Sequence, residues 1–424
     1  MCRAALRERA GAVLSAGALP RTPLAEEQLR LLDAHFGPLA DDVLTIVDAF
    51  ALGTGRLSDG SSEAKASFMG RLDMVLNGLD HNRRPDDAAG ATAADAPPHM
   101  IQSELWQVLH HIRESAELSY SREIDLVELD RRILFLVLSR GPLAPAEIAG
   151  ATGVDKAQVS RSVKRMLEME MVQREQLRAP LRLTPGGEAL GRRLLRVAEL
   201  RNRELTFDIT DEELAYFVAT IEILLDRAVA LYERERGFLE GTAEGRSEDA
   251  RPLGGLPARR SAERSLFDRT RITSPLMTLN SYFNRSGALA FKRLTGLSKF
   301  EAFVLSEIGR QPPIEWAELV AALRRDHSQS GRTITALMER GLIERGGKPG
   351  RRNGWFAPTE VGARLYDIIY RTGQERSVFL LAPLAPEQRM RFMQTFDKLR
   401  RNALAQLHRE RAFSEFDARP VDEL

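Results

Sequence analysis

Residues 153–172 read GVDKAQVSRSVKRMLEMEMV. Val159, Val163, Met166 and Leu167 recur with the i, i+4, i+7, i+8 spacing of a helix that buries one face. The opposite face holds Ala157, Gln158, Arg161, Lys164 and Arg165, long hydrogen-bond donors ranged around one small side chain. Asp155 stands just before the stripe and Gln158 three residues after it, the D-x-x-Q spacing of a capping box. Just upstream, PAEIAGAT (145–152) opens with a proline, which costs little at a first helical position, and stops before Gly153. Two short helices joined by a tight turn, the second bearing exposed donors, predict a helix-turn-helix.

Working outward, the chain repeats itself. Leu105–Val172 falls into register with Leu276–Ile343 at a constant offset of 171, so that Asp155 meets Asp326, Gln158 meets Gln329 and Arg161 meets Arg332. Further on the offset is 175: Thr184–Gly187 meets Thr359–Gly362, and Ile209–Glu212 meets Leu384–Glu387. The change falls at one place, between Val172 and Thr184, which marks an insertion in a loop. Each copy predicts the same order: helices at 104–122 and 128–139, the helix-turn-helix, a short hairpin over 172–184 (343–359 in the second copy), and two long helices.

The order GPLAPAEIAGATGVDKAQVSRSVKRMLEMEMVQRE, a short wing and LTPGGEAL resembles the MarR (multiple antibiotic resistance regulator) family of winged-helix transcription factors. The resemblance covers about 100–200 well and 270–408 less well. It implies a mainly α fold with small β-hairpin wings, here two tandem winged helix-turn-helix domains forming an intramolecular pseudo-dimer. A linker within one chain would keep the copies together at an effective concentration on the order of millimolar. Twofold pairing would set the two recognition helices about 34 Å apart, one turn of B-DNA, and unequal copies would prefer an imperfect palindrome. Chains could also pair into homodimers.

On this reading the partner is double-stranded DNA. Gln158 and Arg161 suit base edges, Lys164 and Arg165 suit phosphates, and Lys156 and Ser160 stand near the helix start, where free N–H groups favour an anion. Arg178 lies in the wing. In the second copy Gln329, Arg332, Thr333 and Thr335 take the corresponding helix, while Lys348, Arg351 and Arg352 make its wing the more basic. The second copy either grips backbone or completes the pair as a degenerate partner. The family also implies a small aromatic or lipophilic effector that releases a repressor. Trp106, His110, Arg113 and Tyr120 share the helix that would line its pocket, although Trp106 and Tyr120 also suit an interface core. The alternative function is a degenerate winged-helix module that binds protein without reading DNA.

Composition narrows the field. The formal net charge of +1 leaves room only for local basic patches. No window approaches eighteen uncharged apolar residues, so no membrane span is expected and the cytoplasm is the default location. The single cysteine, Cys2, supplies no metal or redox motif, and no nucleophile–base constellation marks an enzyme; neither metal nor cofactor is expected. The expected divisions are a helical extension over 1–80, flexible linkers over 81–99 and 237–265, winged-helix domains over 100–236 and 266–412, and a tail to 424. Within the extension, Leu29, Leu32, Phe36, Leu39, Val43 and Ile46 predict one amphipathic helix, and Phe68, Leu72, Val75 and Leu79 another.

Overall fold

The computed structural model describes residues 2–16, 24–36, 40–55, 68–73, 75–76, 101–122, 124, 126–176, 179–241, 253, 256, 271–323, 327–347 and 354–417. The first copy comprises α4 (Ile101–Ser121), α5 (Glu128–Arg140), α6 (Pro145–Thr152), α7 (Lys156–Glu168), β1 (Val172–Gln173), β2 (Arg182–Leu183), α8 (Pro185–Leu205) and α9 (Asp211–Glu240), after α1 (Cys2–Ala16), α2 (Glu26–Phe36) and α3 (Ala40–Gly55) of the extension. The second comprises α10 (Thr273–Thr295), α11 (Lys299–Arg310), β3 (Ile314–Glu315), α12 (Trp316–Leu323), α13 (His327–Glu339), β4 (Ile343–Gly346), β5 (Trp355–Pro358), α14 (Glu360–Leu381) and α15 (Pro386–Asp417).

The strand registers obey both sequence offsets. In the first wing Val172 pairs with Leu183 and Gln173 with Arg182. In the second the matched residues pair, Ile343 with Pro358 and Glu344 with Ala357. The isolated bridge Leu143–Leu181 has its counterpart in Ile314–Phe356, which there grows into a third strand. The extra residues of the second copy therefore lie at the wing tip.

A doubled latch explains the Thr-x-x-Gly signature. Thr184 Oγ1 accepts from Gly187 N (3.0 Å), capping α8, and donates to Glu170 O (2.6 Å). Thr359 does the same with Gly362 N (3.1 Å) and Gly341 O (2.7 Å). A Cβ on Gly187 would stand 1.9 Å from Met171 O, and one on Gly362 1.8 Å from Leu342 O. The close approach of two backbones requires glycine. Gly187→Ala is expected to cost about 2 kcal/mol through overpacking; an unchanged urea midpoint would refute that steric argument.

Each lobe has its own core, one around Ile133, Val159, Val163 and Leu181, the other around Val304, Leu305, Leu337 and Phe356. A third core joins the copies through Leu105, Leu109, Leu224, Leu276, Phe283 and Phe396. There α4 packs on α15 and α9 on α10, so each copy's first helix lies against the other copy's last. Matched ion pairs cross the seam: Arg122 to Glu410 (2.5 Å) and Arg293 to Glu235 (3.0 Å). Within each copy a buried arginine ties the helix after the wing to the first helix. Arg201 donates to Ile112 O (3.2 Å) and Ser115 Oγ (2.7 Å); Arg376 donates to Phe283 O and Ser286 Oγ, both at 2.7 Å. These are the same residues under the two offsets.

Three expectations need correction. The amphipathic helix read over Leu29–Ile46 is two helices, ending at Phe36 and resuming at Ala40. Gly37 and Pro38 stand between, and proline supplies no N–H and disfavours helix before it; Leu39 falls outside the described residues. The predicted linker does not begin at 237, because α9 continues to Glu240. Phe238 there lies under the guanidinium of Arg293 (4.4 Å), and left-handed Gly241 ends the helix. Leu253 and Leu256 of that linker also pack on the inter-copy core. Finally, α15 runs to Asp417, past the expected limit of 412. Residues 81–99 lie outside the described residues.

The N-terminal extension is no loose appendage. α1, α2, α3 and the helical residues 68–73 and 75–76 close around Leu6, Val13, Leu32, Val43 and Leu72. Phe207 and Phe413, one from each copy, complete that core, and Cys2 is buried in it. No described helix is long and apolar enough to cross a membrane.

Candidate nucleic-acid interface

Asp155 caps α7 by accepting from Gln158 N at 2.9 Å. The reciprocal half of the expected capping box does not form, and the Gln158 side chain is exposed. Val159, Val163 and Met166 are buried as the periodicity requires. Lys156, Ala157, Gln158, Ser160, Arg161 and Lys164 are all exposed along the opposite side of α7. Lys164 is 80% exposed and only loosely paired with Glu168 at 3.8 Å. The helix thus presents amide, hydroxyl and cationic donors around a small residue, as groove reading requires.

Arg165 stands apart from this group. Its Nε and Nη2 make a two-pronged bond to Asp130, both at 2.7 Å, and the Asp130 side chain is 1% exposed. The pair fixes α7 on α5, so Arg165 positions the recognition helix, although its guanidinium remains 43% exposed. Asp130→Asn is expected to lower stability by roughly 1–2 kcal/mol and to weaken DNA binding uniformly across sequences. A change of base preference at one operator position alone would contradict that positioning role.

The second helix is a weaker version. Its buried face is Ser330, Ile334 and Leu337, with a serine where the first copy has Val159. Gln329, Arg332 and Thr335 are exposed, and Thr333 is half-buried with its hydroxyl donating to Gln329 O at 3.1 Å. The scaffold tie is kept by other residues: Glu301, matched to Asp130, accepts from Arg340 at 2.9 Å. Burial pushes the Glu301 carboxyl up, but bonds from Ser298 and Arg340 outweigh it and hold the group below its usual range. Asp326, Arg178, Lys348, Arg351 and Arg352 lie outside the described residues.

A cavity of about 110 Å³ lies between α4, α5 and α8 of the first copy, closed by Arg271, Thr273, Ser274 and Met277 of the second. That volume approaches the apolar cavities known to admit a single aromatic ring. Arg113 and Tyr120 are among its lining residues. His110 and Trp106 share their helical stripe but sit about one and two turns toward the N-terminus from Arg113, outside the wall, with their rings stacked at 5.2 Å. The residue that reaches the cavity from the matched position is Met277 of the other copy. The sequence reading missed Arg131, Arg132, Arg201 and Arg271 in the wall. The two arginines at 131–132 inside the apolar run ELDRRILFLVLS are the signal that was available.

The wall is strongly cationic. Among the described residues five arginines line it against two carboxylates: Glu117 pairs with Arg131 (2.5 Å), Glu128 with Arg113 (2.9 Å) and more loosely with Arg132 (3.7 Å), and Arg201 faces Glu410 at 3.8 Å. Arg131 lies over the Tyr120 ring at 4.7 Å and Arg271 over Phe135 at 4.6 Å. Burial pushes the Tyr120 hydroxyl up, opposed by Arg201, Arg131 and Arg271. Burial also pushes Arg132 down to about 10, which leaves it charged at neutral pH. Among the described residues no cluster of three or more histidine, cysteine or acidic side chains is placed to hold a metal.

Comparison with known families places a MarR family model on residues 129–182 and a winged helix DNA-binding domain model on residues 297–362. No curated protein sequence matches the chain significantly. The two matches cover α5 to β2 and the corresponding span of the second copy through β5 into the start of α14.

Proposed function

Starting from a chain that carries two tandem MarR-like winged helix-turn-helix units and is a DNA-binding transcription regulator, we propose that it is a sequence-specific repressor reading an imperfect palindrome. The two units act as an intramolecular pseudo-dimer. The observation that carries the reading is α7, a helix with Val159, Val163 and Met166 buried and an exposed row of donors from Lys156 to Lys164. Arg161 and Gln158 read base edges, and Lys156, Ser160 and Lys164 hold phosphates. In the second unit Arg332, Gln329, Thr333 and Thr335 make a less charged contact, and the wing residues Arg178, Lys348, Arg351 and Arg352 add backbone grip. No catalytic step is part of this function.

The arginine-lined cavity is the effector site in this reading. Its size, its two rings and its excess positive charge suit a small aromatic acid, with Arg113 and Tyr120 among its contacts. The second unit's thin charge supports one narrower alternative, in which α13 completes the pair and reads nothing. Selection of bound sequences from random DNA, with the wild type, Arg161→Ala and Arg332→Ala, separates the cases. Loss of a different half-site in each variant supports two readers; loss in Arg161→Ala only supports one. Selection of no sequence, with a shallow dependence of affinity on salt, would refute the regulator.

A further inference from the structure

One side chain connects the cavity to the first recognition helix. Arg132 lines the cavity and donates from Nη2 to Thr152 O at 2.9 Å. Thr152 ends α6, where the last carbonyls of a helix have no partner within it. Here four carbonyls in succession are held by side chains. Gly150 O accepts from the Tyr282 hydroxyl (3.1 Å), Ala151 O from Thr278 Oγ1 (2.9 Å), Thr152 O from Arg132, and Gly153 O from Arg285 Nη1 (2.9 Å). Three of the four donors stand on α10, in the other copy. Left-handed Gly153 is seated so closely there that a Cβ would lie 2.9 Å from Ser281 Cβ. α7 starts at Lys156, three residues on. The turn of the first helix-turn-helix is therefore fastened to the opposite copy, with one fastening in the cavity wall.

The second lobe is built differently. The offset of 171 puts Phe303 and Glu114 at the places of Arg132 and Arg285, neither with a side-chain N–H or O–H to give, while Gln107 and His111 stand at those of Thr278 and Tyr282. α6 packs on α10, whereas among the described residues α12 makes no comparable packing with α4. The cavity chemistry is equally one-sided. Of the five wall arginines, Arg113, Arg131, Arg132 and Arg271 are matched by Asn284, Ala302, Phe303 and Met100, and only Arg201 keeps an arginine, Arg376.

We infer that the chain holds one anion site, at the seam of the two copies, and that its occupant acts on the first recognition helix alone. This rests on the effector reading of the cavity. An anionic oxygen makes a stronger, charge-assisted bond to Arg132 than the neutral carbonyl of Thr152 does. Occupancy draws Arg132 off the turn, loosens the entry to α7 and leaves the second lobe as it was. The effector then weakens one half-site of an operator instead of both.

Amide hydrogen exchange on the full chain, without DNA, tests this and stays readable whether or not the chain binds an operator. Arg132→Leu and Thr278→Val are each expected to speed exchange over residues 150–165 roughly five- to tenfold, the worth of one lost hydrogen bond, with residues 327–340 unchanged. Thr278→Val lies outside the cavity wall and guards against a general loss of fold in Arg132→Leu. Benzoate, and inorganic phosphate as a second anion, are the probes. At least one is expected to bind once per chain and reproduce the one-sided change in the wild type but not in Arg132→Leu. Equal acceleration of both lobes, two bound anions per chain, or no response to either probe would overturn the inference.

Discussion

Arg201→Leu is expected to lower the unfolding free energy by roughly 3–5 kcal/mol, the range for breaking a buried charged network. Arg201 is 5% exposed and bonds Ile112 O, Ser115 O and Ser115 Oγ, so its loss removes three buried hydrogen bonds at once. It also faces Glu410 of the other copy at 3.8 Å. Burial pushes the guanidinium down, and Glu410, Tyr120 and Glu204 oppose that shift. The change thus weakens the tie of α8 to α4 and the balance of charge at the seam together. Arg376→Leu is the control. Arg376 makes the matched bonds, but among the described residues no carboxylate lies within ion-pair distance, and burial pushes it down to about 10. Replacing it removes an incompletely compensated charge, so the expected cost is smaller, roughly 1–2 kcal/mol. Urea denaturation of the two variants measures the difference; a larger cost at 376 than at 201 would show that the carboxylates contribute nothing.

Arg161→Ala is expected to weaken specific DNA binding roughly 10- to 100-fold, the worth of one good two-pronged base contact, and to relax preference at one operator position. Lys164→Ala should act differently. It should weaken binding to every sequence alike and reduce the slope of log affinity against log salt by about 1. Arg332→Ala should have the smaller effect, because its helix lacks counterparts of Lys164 and Arg165. Fluorescence anisotropy titrations at several salt concentrations distinguish these outcomes. If Arg161→Ala shifts only the salt slope and leaves base preference intact, Arg161 holds a phosphate and the reading of α7 must be rebuilt.

Much of this architecture was legible because it is local. The buried stripe of α7, the proline at the head of α6 and the Thr-x-x-Gly latch all follow from residues within a few turns of each other. The two offsets were legible too, since strand pairing across a short hairpin preserves apolar alternation even when identities are lost. Gly37 and Pro38 were also a signal in the chain that α2 and α3 are separate elements, but an apolar period running across them hid it.

The amino-acid sequence alone thus determined the doubled winged unit and the donor face of its first helix, because capping, periodicity and tight turns act over short chain distances. Only the tertiary structure decided which arginines leave the surface. In a sequence, Arg201 looks like any solvated cation, and the apolar run around Arg131 and Arg132 marks them without naming their partners; folding brings Leu126, Thr152 and Ser115 to these three. A guanidinium can be buried only where such acceptors converge, and that convergence belongs to the packing of two unequal copies.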